Sequence, residues 1–289
     1  MPRLQATAVL AIVALIAAYA HAEAPATAPA VQAMRFVEHD DGSAALQASV
    51  HTFRKGDATV TLFAAVHIGD QAYYDDLNKA FEAYEVVLYE MVKPRDAVPP
   101  PPGQLGNGGG INLMQRAMQN VTGLQYQLDI IDYTRPNFVH ADMDFETFAD
   151  AMSERNEIMR LLLRAMTSGG QTQTHPDVLL GQFMLAAQDP AEAVNLKRML
   201  AREFSNLDQM LKVLEGPDGS VLLNERNKAA IEVLNQQLRK GRTNLALFYG
   251  AAHVPDLAKR LTELGFEHVG TDWRTAWAIA APPAPAGQP

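Results

Sequence analysis

Residues 244–266 read NLALFYGAAHVPDLAKRLTELGF. An apolar run of strand length stops at Gly250-Ala251-Ala252-His253, and a helical pattern begins at once behind it. Gly250 removes a side chain where the strand tip approaches another group closely, and Pro255 suits a first helical turn. A helix starting there aims backbone N–H groups and a partial positive charge at whatever lies beyond the strand. The reading that follows is a buried strand delivering an imidazole to a crevice.

Two other apolar runs end in the same way. TVTLFAAVH closes on His67 and VVLYE closes on Glu90. In open sheets the carboxyl ends of parallel strands form the ligand crevice, so groups far apart in sequence can converge there. Residues 44–53 and 58–66 read as a hairpin around Arg54-Lys55-Gly56-Asp57. Residues 73–84 have helical spacing and 85–92 return to strand, a strand-helix-strand unit that predicts parallel pairing through a right-handed crossover. Residues 112–216 are mostly helical, including 145–166 and 191–214, and are interrupted by a short apolar segment at 137–141. Together these elements predict an α/β (α+β) chain with an N-terminal hairpin and a helical middle insertion. Between Glu90 and that insertion, residues 93–110 (KPRDAVPPPPGQLGNGGG) can form neither helix nor central strand and read as a loop, either a lid or an insertion without a role.

A fourth element points inward. In SVLLNERNKAAIEVLNQQLRK, residues 220–240, stepping from Leu223 lands on Arg226 or Asn227 and then on Ala230, Val233 or Leu234, and Leu238. A guanidinium on that stripe needs an anion, and Glu90 or a developing oxyanion supplies one. The bland alternative is a structural clamp between Arg226 and Glu90. His140 and Asp142, in FVHADMDFETF, end a further apolar run and are additional candidates, whereas His39, His51, His175 and His268 read as surface or packing residues.

The chain has 289 residues, 48% hydrophobic and 20% charged, with a formal net charge of -9, which opposes nucleic-acid and anionic-membrane partners. It contains no cysteine, so disulfides, thiolate nucleophiles and thiolate metal sites are excluded. Residues 1–22 have the layout of a cleaved secretory signal: Arg3, an apolar run from Ala8 to Ala20, then Ala20-His21-Ala22; an uncleaved anchor is the alternative. Residues 23–33 read as a Pro/Ala linker, 34–280 as a single domain and 281–289 as a Pro/Ala tail. Export to the periplasm or beyond is expected, with no stable membrane insertion once the signal is removed. No phosphate loop, HExxH or serine elbow is present.

The stretches AAVH ending at His67, VVLYE ending at Glu90, ERN with Arg226 and Asn227, and GAAH from Gly250 to His253 resemble the TraB/GumN family, also described as TraB/PrgY and including the Tiki proteins. The likeness runs from about Thr61 to Phe266. It implies a mixed central β-sheet flanked by helices, of the erythromycin-esterase and haem-binding-lipoprotein type. Tiki-like members imply metal-dependent peptidase activity, and PrgY-like members the handling of peptide pheromones. One departure is Ala64, where the family has glycine; its methyl is expected to narrow the pocket or shift the strand tip.

The expectation is an exported metal-dependent hydrolase, peptidase-like, taking a peptide or small-molecule substrate. His67, His253 and Glu90 would hold a divalent cation (zinc, manganese or cobalt), with Glu90 completing the ligand set or serving as the base towards water. Arg226 would steady the oxyanion and Asn227 would orient it or the water. The alternative is a binding protein without turnover, sequestering a short peptide or small ligand; a weaker one is a haem carrier using a residue such as Tyr249.

Overall fold

The structure is a computed structural model and describes residues 31–94, 96–99, 101–103, 119–154, 176–206 and 221–281. The signal segment, most of the linker and tail, the Gly-rich part of the loop, and the helical readings over 155–166 and 207–214 lie outside the described residues.

Nine strands are formed among the described residues: β1 (Met34–Glu38), β2 (Ala44–Lys55), β3 (Ala58–Ala65), β4 (Ile68–Gly69), β5 (Val86–Tyr89), β6 (Gln125–Tyr126), β7 (Phe138–His140), β8 (Asn244–Gly250) and β9 (Glu267–Ile279). The main sheet has seven of them in the order β1-β2-β3-β8-β5-β7, with β9 along β2, and β4 pairs with β6 apart from it. The chain is a mixed α/β protein with a mixed central sheet flanked by helices. The expected hairpin is β2 with β3, closed by Gly56 at φ 54°. β2 is long enough to carry β9 along one edge and, on the other, β1 over Ala44–Ala48 and then β3 over Val50–Lys55.

β3, β8, β5 and β7 are mutually parallel. Both faces of such strands are covered, which is why β3, β5 and β8 read as near-continuous apolar runs. The predicted parallel relation of β3 and β5 holds, but the two do not touch as partners. β8 lies between them, Ala64 opposite Tyr249 on one edge and Leu88 opposite Leu247 on the other.

The helices are α1 (Gln71–Ala80), α2 (Gln127–Ile130), α3 (Phe145–Glu154), α4 (Pro176–Ala186), α5 (Pro190–Ser205), α6 (Arg226–Arg239) and α7 (Val254–Glu263). Val254, Leu257, Ala258 and Leu261 are the buried stripe of α7, spaced as one helical face requires. α1 pins the tip of β3: the hydroxyls of buried Tyr73 and Tyr74 donate to the carbonyls of Ala64 (3.0 Å) and Val66 (2.8 Å). The linker ends earlier than the sequence suggests. Ala33 is buried, its carbonyl accepts the Ser49 N–H at 2.9 Å, and the Gln32 carbonyl accepts from His51 Nε2 at 3.1 Å.

Candidate functional site

Each of the four parallel strands hands one group to the same end of the sheet. His67 follows β3, His253 closes the short turn after β8, Glu90 follows β5 directly, and Asp142 stands just past β7. The strand spacing of about 4.8 Å brings these groups near one another without any sequence proximity. Gly250 is the meeting point. A Cβ at this position would lie 3.1 Å from Glu90 Oε2, 3.7 Å from His253 Cδ2 and 3.7 Å from His67 Nε2. Its φ of -49° is open to any residue, so the glycine is required by space. Its N–H donates to Glu90 Oε2 at 2.6 Å.

Arg226 opens α6 behind a π-turn over Val221–Glu225, a local irregularity of the kind frequent at functional sites. Its Nε donates to Asp142 Oδ1 at 2.9 Å, and Nη2 donates to Asp142 Oδ2 at 2.5 Å and to Glu90 Oε1 at 2.6 Å. The Asp142 side chain has no exposed surface, and those of Arg226 and Glu90 are each 12% exposed. Burial alone would raise the Glu90 carboxyl, but the charge and hydrogen bond of His253, then Arg226 and His67, hold it well below the usual carboxylate range. Burial opposes the Arg226 charge, yet Asp142 and Glu90 raise its affinity for the proton further. Two carboxylates therefore face one guanidinium, leaving a surplus of negative charge beside the imidazoles.

His253 is buried, with Nε2 3.3 Å from Glu90 Oε1 and Nδ1 2.6 Å from Asn227 Oδ1. Asn227 is buried too, and its Nδ2 donates to Asp256 Oδ2 at 2.7 Å. This corrects the expectation for Asn227: both ends of its amide are occupied behind the imidazole, so it holds His253 and does not face water or an oxyanion. The exposed His67 repeats the pattern, with Nδ1 3.2 Å from Gln127 Oε1, whose own Nε2 donates to the buried Tyr133 hydroxyl at 2.6 Å. Sequence reading did not single out Gln127, Tyr133 or Asp256. Only Asp256 left a signal, as an acid in the first turn of the helix that His253 starts.

Of the two additional candidates, the structure brings in Asp142 and leaves out His140. The His140 Nε2–H donates to the Met91 carbonyl at 2.6 Å, and burial lowers its proton affinity. Ala64 does not narrow the crevice: it pairs with Tyr249, and the pleat places both on the sheet face opposite to Gly250. Tyr249 is fully buried, its hydroxyl donates to the Ala141 carbonyl, and burial raises its proton affinity far above that of a free phenol, which gives the haem reading no support. His51 is a packing residue, bonded to Thr271 at 2.9 Å and His268 at 3.2 Å.

No family model, curated protein or solved structure matches the chain.

The donors suit a divalent cation in kind and direction. His253 presents Nε2 to the carboxylate and His67 turns Nε2 towards Gly250, while an amide holds each Nδ1, the arrangement common among metal-ligating histidines. As they stand they do not close a coordination cluster: among the described residues no group of three His, Asp or Glu side chains is set to hold a metal ion. Glu90 Oε1 is held by Arg226 and Oε2 by Gly250. Among the described residues, no helix is long and apolar enough to cross a membrane.

Proposed function

We propose that this crevice is the reaction centre of an exported hydrolase that works with a divalent cation, zinc, manganese or cobalt, and cleaves a peptide bond. The proposal includes membership of the TraB/GumN family and its erythromycin-esterase and haem-binding-lipoprotein-like fold; export rests on the N-terminal sequence, and the choice of a peptide on the family resemblance. The observation that carries the reading is His253 Nε2 lying 3.3 Å from Glu90 Oε1 while Nδ1 is tied to Asn227. A nitrogen lone pair and a carboxylate oxygen repel each other unless a proton or a metal cation lies between them. The surplus negative charge favours the same occupant.

His67 and His253 would hold the cation through Nε2, with Glu90 as the charged partner. When bound, the cation supplies Lewis acidity towards a carbonyl and acidifies water. Glu90 serves as an anion in this scheme, with Oε1 held by Arg226 and Oε2 by the Gly250 N–H. Arg226 keeps Nη1 without a partner among the described residues, and that edge takes the substrate carbonyl oxygen as negative charge develops on it. Asp142 holds the guanidinium in that orientation.

A second reading, sequestration of a short peptide or small ligand without turnover, is favoured by the full engagement of Glu90. One experiment separates them. The protein is expected to take up zinc, manganese or cobalt by elemental analysis and titration, and to cleave members of a peptide library, with cleavage lost in Glu90→Gln. Cleavage of that kind rules out pure sequestration. Absence of divalent metal binding, together with an unchanged ligand interaction in His253→Ala, overturns the hydrolase reading.

A further inference from the structure

We propose that Asp256 is a positioning residue that sets the tautomer of neutral His253, keeping the hydrogen on Nδ1 and so making Nε2, the nitrogen nearest Glu90, the one that is free of a proton in the neutral ring. The proposal rests on the reading above only for what that nitrogen is used for; the tautomer stands on geometry alone.

An ionised carboxylate accepts hydrogen bonds and donates none. Asp256 Oδ2 therefore fixes the direction of the Asn227 amide, whose NH2 end must face it at 2.7 Å. The oxygen end is then the one 2.6 Å from His253 Nδ1, and an amide oxygen also only accepts, so Nδ1 must carry the hydrogen. Asn227 has no exposed surface, so no solvent compensates a reversed amide, which would set oxygen against oxygen at Asp256. Arg260, one turn along α7, donates from Nε to Asp256 Oδ2 at 2.6 Å and holds the carboxylate in place.

The comparison with His67 isolates what Asp256 adds. There the amide of Gln127 is backed by the Tyr133 hydroxyl, which both donates and accepts. That chain can run in either direction. The His253 chain can run in one only, because it terminates in a pure acceptor.

The test uses the whole protein with 15N-labelled histidine, read by long-range proton–nitrogen correlation at alkaline pH, where neutral imidazoles report their tautomer; loss of one set of signals in His253→Gln assigns them. Wild type is expected to show His253 with hydrogen on Nδ1. In Asp256→Ala the acceptor that directs the Asn227 amide is gone, and His253 is expected to show both tautomers, whereas Asp256→Asn is expected to keep the wild-type form, because Asn227 Nδ2 and Arg260 Nε donate to the same oxygen and a carboxamide retains its oxygen there. Arg260→Gln, which removes the neighbouring cation and leaves the acceptor, is expected to keep the wild-type form. Zinc titration of Asp256→Ala is expected to show affinity lower by about 10- to 100-fold, the usual effect of losing a group that orients a metal-binding histidine.

An unchanged single Nδ1–H form in Asp256→Ala overturns the proposal, as does a change in Arg260→Gln as large as that in Asp256→Ala. Should Asp256→Ala fail to fold, Asp256→Ser, whose hydroxyl both donates and accepts, is expected to show both tautomers, and a single Nδ1–H form overturns the idea. If wild type binds no zinc but the tautomer mixes in Asp256→Ala, the hydrolase reading fails and this inference stands. Zinc binding with no change of tautomer overturns this inference and leaves the hydrolase reading standing.

Discussion

Replacing Arg226 by methionine removes the guanidinium and keeps most of its volume. Three hydrogen bonds are lost, and the cost is dominated by what remains: the Asp142 carboxylate, with no exposed surface, and the Glu90 carboxylate, 12% exposed, then face each other without a cation. Breaking a buried pair by removing one partner costs about 3–5 kcal/mol, a large part of the total stability of an ordinary domain. Equilibrium urea unfolding, followed by fluorescence of the buried Trp277 and by far-UV circular dichroism, measures it. The internal reference is Lys259→Ala, which removes an exposed pair with Glu263 at 3.7 Å and should cost at most about 0.5 kcal/mol. The double variant Arg226→Met/Asp142→Asn should recover a large share of the loss, because the stranded charge goes with its partner. If Arg226→Met costs no more than Lys259→Ala, the buried charge cluster is not what organises this end of the sheet, and the reasoning is refuted.

Gly250→Ala should destabilise by about 1–3 kcal/mol through overpacking, since the methyl would lie 3.1 Å from Glu90 Oε2, and it should weaken metal binding more than it weakens the fold; unchanged values in both assays would contradict the close approach. His51 has its proton affinity lowered from the ordinary 6.5, first by burial and then, against the Gln32 bond that favours the charge, by nearby His268. The unfolded chain therefore binds the proton more readily, so this contribution to stability is complete above about pH 6.5 and is lost as pH falls from there towards the folded value. Thermal midpoints across that range should fall more steeply in wild type than in His51→Gln, and parallel curves would sink the assignment.

The strand tips were legible because parallel strands buried on both faces leave unbroken apolar runs, and a polar group closing such a run stands out. His67, Glu90 and His253 were found by that contrast alone. Arg226 was legible from helical stepping, since a cation on a buried stripe demands an anion. What could not be read was direction. Nothing in FVHAD tells which of His140 and Asp142 turns inward; the Ala141 N–H bonded to the Tyr89 carbonyl at 3.1 Å carries the β5–β7 pairing on to the residue just before Asp142. Asn227 was placed on the correct side of α6, but its partner Asp256 belongs to another helix, so its role in holding His253 was invisible. The interposition of β8 between β3 and β5 escaped notice for the same reason: pairing across the sheet leaves no local mark, and the strand-helix-strand pattern looks the same whether or not a later strand enters.

That interposition governs when the protein becomes itself. The two flanking strands are made early, while the segment that joins them is synthesised about 155 residues after the second of them, so the nascent chain must carry two open parallel edges until its last quarter arrives. Such edges are sticky, and a chain released short of Gly250 would be prone to self-association. It would also lack the proposed site, because β8 both joins the halves and leads into His253. Sheet closure and assembly of the charge cluster at its end are thereby completed in a single event.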